Sequence, residues 1–149
     1  MPFSPQAEIT SLGTMRGAPP AGSALVVDLT DALHNPDKHP ALRGLTGLDP
    51  ELRAHVMAIP GAEHLVRHTV DQVLALLRVQ DEEPLRLRAQ CRWGRHRSVA
   101  VAEEVADRLR DQAVEVRVRH RDVHLQPLRR VAGCAFCAIA HGDAPAQVL

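Results

Sequence analysis

Apolar residues recur along this chain with two periods, and their alternation lays out the elements of a single α/β unit. Ala7–Gly13 has the make-up of a short strand, and a turn-rich stretch from Gly13 to Gly22, containing Pro19 and Pro20, follows it. Ala24–Leu29 is a compact apolar run carrying Asp28, the pattern of a strand buried on both faces. Asp31 to Gly47 is interrupted by Asn35-Pro36 and His39-Pro40 and reads as a long loop or a broken helix. Asp49-Pro50 then predicts a helix start, with Asp as N-cap and Pro at the first helical position, and Pro60-Gly61 ends that helix. Ala62, Leu65, Val66, Val70, Val73, Leu74 and Leu77 follow the spacing of one buried helical face. After the charged loop Asp81-Glu82-Glu83-Pro84, residues Leu85, Leu87, Ala89 and Cys91 alternate with Arg86, Arg88 and Gln90 as a strand. A helix is expected from about Val99 to Arg110, and Val114, Val116 and Val118 alternate with polar partners in a further strand. Strand, loop, helix and strand make a βαβ unit, so these two strands should be parallel. The expected fold is α/β: a small three-layer domain with a mostly parallel four-stranded sheet and flanking helices.

Composition narrows the function classes. Two Phe, one Trp and no Tyr leave the core to aliphatic side chains. Stacking platforms for single-stranded nucleic acid are therefore nearly absent, which weighs against a stand-alone RNA-binding module. The formal charge is zero, yet Leu85–Arg130 holds 12 Arg against 6 acids, while the remainder holds 6 basic residues against 12 acids. This division can be a scatter of solvated arginines or a positive surface around one site. No apolar run approaches the roughly 20 residues that span a bilayer. The opening Met-Pro-Phe-Ser-Pro lacks signal-peptide features, and three Cys make no disulfide framework, so a cytoplasmic address is expected. Residues 1–6 are expected to be a flexible end, 7–130 the domain, and 131–149 a disordered tail.

The chemistry gathers on Cys91-Arg92-Trp93-Gly94-Arg95-His96-Arg97-Ser98, which leads from a strand into a helix. Ligands of open α/β sheets bind beyond the carboxyl ends of strands, where helix N-termini offer unpaired amides and a partial positive charge. Gly94 permits a tight loop, Arg97 can pair with phosphate oxygens, and Ser98 can cap the helix or touch the ligand. His96 adds a group that titrates near neutrality, and Arg92 and Arg95 add positive field. A βα turn with Gly and Ser is commonly only structural, but cations crowded in one turn repel one another unless an anion offsets them. The same residues fit Cys-x5-Arg-Ser, the phosphate loop of protein tyrosine phosphatases, with Cys91 as nucleophile and Asp28 or Asp31 as general acid. Against this, Cys91 keeps register with Leu85, Leu87 and Ala89 and can simply close the strand.

Beyond that loop, Ala102-Glu103 and His120-Arg121 follow in order. Upstream lie Thr10-Ser11-x-Gly13-x-x-x-Gly17, Asp28, Asn35-Pro36 and Leu42-Arg43-x-x-Thr46-Gly47-Leu48-Asp49. Together these blocks resemble the C-terminal domain of the RapZ family over roughly residues 7 to 130. The resemblance implies a domain likened to a phosphofructokinase subdomain, with a pocket for glucosamine-6-phosphate. Full-length members carry a preceding nucleotide-binding, kinase-like domain and act as adapters presenting a small RNA to a ribonuclease. Carried over, Gly94, His96, Arg97 and Ser98 would hold the phosphate. Ser11, Gly13, Gly17 and Asn35 would line the opposite wall, with His120 and Arg121 near the same pocket.

The departures are specific. The family's Cys-Thr-Gly-Gly is Cys91-Arg92-Trp93-Gly94 here; its basic residue between the two glycines is displaced to Arg16, with Met15 at the matching position. Thr30 and Asp37 stand where the family has Arg and His. No Gly-x4-Gly-Lys-Ser/Thr phosphate loop occurs in the chain.

The tail, Cys134-Ala-Phe136-Cys137 to Pro145-Ala146, is similar to the opening of histidine-triad nucleotide hydrolases but lacks the triad itself. Cys134, Cys137 and His141 are weak candidates for a zinc site, and otherwise no cofactor is expected. The sequence thus reads as a non-catalytic sensor or regulatory domain for a phosphorylated small molecule, an amino-sugar phosphate or a nucleotide-like compound. A Cys91-dependent phosphatase and an RNA or protein adapter using the basic half are the alternatives.

Overall fold

The computed structural model describes residues 4–33, 39–80 and 84–125. Its strands are β1 (Ala7–Gly13), β2 (Leu25–Asp28), β3 (Leu85–Cys91) and β4 (Val116–His120). Its helices are α1 (Pro50–Met57), α2 (Ala62–Leu77) and α3 (Arg97–Asp111). The four strands form one all-parallel sheet in the order β2-β3-β1-β4, so the expected α/β fold is the observed one.

Period-two patterning decides which way the sheet faces. Ala7, Ile9 and Ser11 of β1, with Leu85, Leu87, Ala89 and Cys91 of β3, are buried beneath the helices. Glu8, Thr10, Arg86 and Arg88, one step out of phase, point to the other side. Helix α3 lies across β1, β3 and β4, and α1 and α2 pack on α3. That explains why α3 is buried over so much of its circumference, from Val99 through Leu109. Each such Val or Leu contributes about 1.5–3 kcal/mol of burial. Ion pairs fasten the helical layer. Arg53 of α1 reaches Glu104 and Asp107 of α3, both at 2.7 Å, and Arg108 of α3 clasps Glu63 of α2. The Arg108 guanidinium holds the Glu63 carboxyl down to about 2.

In place of a third layer of helix, the opposite face carries the connection from β1 to β2. That chain crosses β3 in the sense opposite to the two helical crossovers, and the right-handed preference sends it over the other side of the sheet. Pro20–Ala24 accordingly border the same cavity as Glu8, Thr10, Arg86 and Arg88.

Four local expectations are corrected. β2 is an edge strand rather than one buried on both faces, and its Val26 is 42% exposed; the central place goes to β1. β4 starts at Val116 rather than Val114, because the Val114 amide bonds to the Leu109 carbonyl and closes the end of α3. α3 begins two residues early, with His96 as N-cap, so Ser98 lies inside the first turn and is not the cap. Asp49 precedes α1 as predicted, but its carboxylate accepts the Thr46 amide at 2.7 Å instead of capping the helix.

Candidate functional site

All four strands run the same way, so the loops after them meet at one end of the sheet, where the β3–α3 loop is the hub. Two glycines make the junction possible. Gly94 has φ +73°, and a Cβ there would lie 2.5 Å from the Gly13 amide nitrogen; a Cβ on Gly13 would lie 2.4 Å from the Trp93 carbonyl carbon. The ends of β1 and β3 therefore touch backbone to backbone, a distance no side chain permits. The Gly13 amide donates to the Asp122 carboxylate at 2.8 Å, which brings in the segment after β4.

Arg95, His96 and Arg97 are buried and turned toward protein, and the partly exposed Arg121 also turns to main-chain carbonyls. Arg97 is 3% exposed, and its Nη1 donates to the carbonyls of Leu29 (2.7 Å), Thr30 (3.0 Å) and Leu33 (2.9 Å), drawing in the loop after β2. His96 Nε2 donates to the Leu45 carbonyl at 2.8 Å, and the Gly47 amide donates back to Arg95 O at 2.7 Å. The 45–47 segment thereby lies against the first turn of α3. Arg95 Nη1 reaches the Leu125 carbonyl at 3.4 Å. Arg121 donates to Gly13, Gly17 and Ala18 carbonyls and pairs with Asp122, so it pins the segment after β1. Geometry thus gives Arg97 and Arg121 immediate work as braces. The expectation that Arg97 points its full fork at a ligand is corrected for Nη1, which three carbonyls occupy.

Ser11, expected to line one wall of the pocket, and His120, expected near the same pocket, lie side by side, and a residue outside the expected set joins them. The Ser11 hydroxyl and His120 Nδ1 are 2.7 Å apart, and His120 Nε2 lies 2.6 Å from Glu103 Oε1. A carboxylate only accepts, so His120 donates from Nε2 to Glu103, and in the tautomer with its single proton there Nδ1 accepts a hydrogen bond from the Ser11 hydroxyl. The hydrogen bond from His120 holds Glu103 below the usual carboxylate range. Ser11 is fully buried, so this chain of bonds is internal wiring of the hub.

Cys91 is 3% exposed within the apolar core, and its thiol donates to the Ser98 hydroxyl at 3.1 Å. A phosphatase loop needs that sulfur turned toward the substrate. Burial pushes the Asp28 carboxyl up, but hydrogen bonds from Thr30 and Gln90 and the charge of Arg97 outweigh it, leaving Asp28 below its ordinary value. A general acid needs the opposite shift. Two departures from the family pattern noted above meet in space, since the Arg16 guanidinium stacks over the Trp93 ring at 5.0 Å from its centre.

Electrostatically the hub is inverted. Helix N-termini favour anions, yet α3 opens with Arg95, His96 and Arg97, has no acid in its first turn and no side-chain cap. Asn35 and the tail candidates Cys134, Cys137 and His141 lie outside the described residues. Among the described residues no group of three His, Cys, Asp or Glu could hold a metal, and no helix is long and apolar enough to cross a membrane. Sequence reasoning missed Glu103 and Asp122 as hub members. Glu103 was visible only as part of a motif, and nothing in the spacing announced Asp122.

A family model described as the RapZ C-terminal domain matches residues 5–124. A nucleotide-binding protein of Thermobifida fusca (strain YX) is 38% identical over 122 residues, covering 79% of this chain and 40% of the relative. The nucleotide-binding protein Franean1_2060 of Parafrankia sp. (strain EAN1pec) is 42% identical over 124 residues, covering 78% and 41%. The nucleotide-binding protein SCO1952 of Streptomyces coelicolor (strain ATCC BAA-471 / A3(2) / M145) is 37% identical over 121 residues, covering 79% and 40%. The chain spans about two fifths of the length of these curated relatives.

Proposed function

The chain belongs to the RapZ C-terminal domain family, and on that premise we propose that it is a non-catalytic regulatory domain that binds a phosphate-bearing small molecule at the carboxyl end of its sheet. The observation that carries this reading is the inverted start of α3, with buried Arg95, His96 and Arg97 at the positive end of a 15-residue helix that has no acid in its first turn. Arg95 and Arg97 add their positive field to the partial positive charge of that helix end, and both favour a negative group there. The ligand's phosphate meets the amides around Gly94, Ser98 and Val99, while the braces Arg97 and Arg121 hold the surrounding loops. Because those braces join the segments after all four strands, occupancy reaches every loop at that end, as a sensor requires. The phosphate is the recognised group, shared by an amino-sugar phosphate and by the nucleotides for which the relatives are named. Catalysis through Cys91 is disfavoured, because its thiol is spent inside the core.

The test is a titration of the full chain with inorganic phosphate, glucosamine-6-phosphate and ATP, followed through backbone amide resonances. Gly94, Ser98 and Val99 are expected to shift first and saturably, with a rise in melting temperature. At a ligand concentration of about 100 Kd the stabilisation is about 2.7 kcal/mol. Saturating concentrations of all three that leave those amides and the melting temperature unmoved would overturn the proposal.

A further inference from the structure

We infer that the open face of the sheet carries a second, separate anion site, built for a small molecule with two phosphate groups of the pyrophosphate class. It is a cavity of about 300 Å³ between the Pro20–Ala24 segment and the outward side chains of β1, β3 and β4. Such a volume suits a small ligand.

Register places the charges. Thr10 of β1 sits between Arg88 of β3 and Arg119 of β4, and one pair further down Glu8 sits between Arg86 and Arg117. Neighbouring strands are about 4.8 Å apart, so Arg88 and Arg119 arise about 10 Å from each other with only the Thr10 hydroxyl between them. Glu8 pairs outward with Arg117 at 3.7 Å, which leaves it a weak counter-charge to the cavity. Among the described residues no carboxylate pairs with Arg86, Arg88 or Arg119. Arg88 Nε is buried with no hydrogen-bond partner, a donor that costs free energy until something accepts from it.

The far wall is fixed in place. Arg121 anchors the Gly17 and Ala18 carbonyls, and Gly22, at φ +106°, brings the chain so close that a Cβ there would lie 3.1 Å from Arg86 Nη1. Pro20, Ala21 and Ala24 add apolar surface for an uncharged part of the ligand. Arg121, the fourth arginine on the lining, is paired with Asp122; the other three guanidiniums, facing one carboxylate, exceed what a single monoanion offsets, whereas two linked phosphates match both the charge and the spread. A polynucleotide fits less well, because the overlying segment closes one side and no aromatic side chain lines the cavity for a base to stack on.

The experiment measures pyrophosphate binding to the full chain by calorimetry, with orthophosphate, sulfate and a single-stranded oligonucleotide as comparators. Pyrophosphate is expected to bind about tenfold or more tighter than orthophosphate and to shift the Thr10 and Gly22 amides. The double variant R88Q/R119Q should lose about tenfold or more of that affinity while keeping its melting temperature. Arg119→Glu, at an exposed position, gives a second test with the same expected loss. Unchanged pyrophosphate affinity in both variants, or an oligonucleotide that binds tighter than pyrophosphate and gains with length, would overturn the inference. The outcome is independent of the carboxyl-end reading, which is reported by Gly94, Ser98 and Val99 rather than by Thr10 and Gly22.

Discussion

The carboxyl end of the sheet and its open face are both rich in arginine, and they use it in opposite ways. At the carboxyl end Arg97 and Arg121 are spent on main-chain carbonyls, three acceptors each, and hold loops together. On the open face Arg86, Arg88 and Arg119 stand side by side with their hydrogen-bonding capacity left over. A guanidinium surrounded by carbonyls is an element of architecture. One surrounded by other guanidiniums is a demand for an anion. The distinction predicts that removing a bracing arginine, Arg97 or Arg121, costs stability, and that removing an open-face arginine costs anion binding there.

The largest effect should come from the backbone contact on which the carboxyl end is built. Gly94→Ala places a Cβ 2.5 Å from the Gly13 nitrogen at φ +73°. Both the left-handed conformation and the overlap are penalised, and the loss should be about 4 kcal/mol or more, read as a drop in the urea midpoint. Next comes Arg97→Met, which removes a buried charge and leaves the carbonyls of Leu29, Thr30 and Leu33 short of a donor. About 3 kcal/mol of destabilisation is expected. A stability within about 0.5 kcal/mol of the parent would mean that the carbonyls find other donors, and the contrast between the regions would dissolve.

Much of this arrangement was legible in the sequence. β3 follows from period two and α2 from its apolar stripe, because each pattern matches a face that the fold really buries, and β1 was legible as a short strand. The β3–α3 loop was recognisable as the hub from Gly94 and its crowded cations. What could not be read was the destination of each charge. Arg97 and Arg88 look alike in sequence, and only the crossing of the β2 loop beneath one and the outward phase of the other separate them. The position of β2 escaped for a similar reason: a short apolar run says that something covers it, not whether it sits at the centre or the edge. Glu103 and Asp122 join the hub through a helix and a turn distant in sequence from their partners, and no local spacing encodes such contacts.

A smaller effect tests the internal wiring that Ser11, His120 and Glu103 provide. The Glu103 carboxyl is held below its ordinary value by His120 in the folded chain. Its contribution is therefore fully present above the unfolded glutamate pKa of about 4.3 and is lost as pH falls through the lower folded value. Glu103→Gln should remove that part of the acid limb in a plot of unfolding free energy against pH. At neutral pH it should cost about 1 kcal/mol, since the amide still accepts from His120 Nε2. An acid limb unchanged by the substitution would show that the bond contributes nothing to folding.

The smallest effect is the most discriminating. Arg88→Met and Arg119→Met apply to the open face the same exchange that Arg97→Met applies to the hub. In the absence of ligand each should shift stability by no more than about 0.5 kcal/mol. The sign is expected to be favourable at low salt, because each removes a charge that repels its neighbours across Thr10. Salt screens that repulsion over a Debye length of about 10 Å at 0.1 M. The parent's melting temperature should therefore rise with added sodium chloride more steeply than that of the R88M/R119M double variant. If instead the double variant loses several kcal/mol at every salt concentration, the open-face arginines brace the sheet as Arg97 braces the loops, and their charge is structural after all.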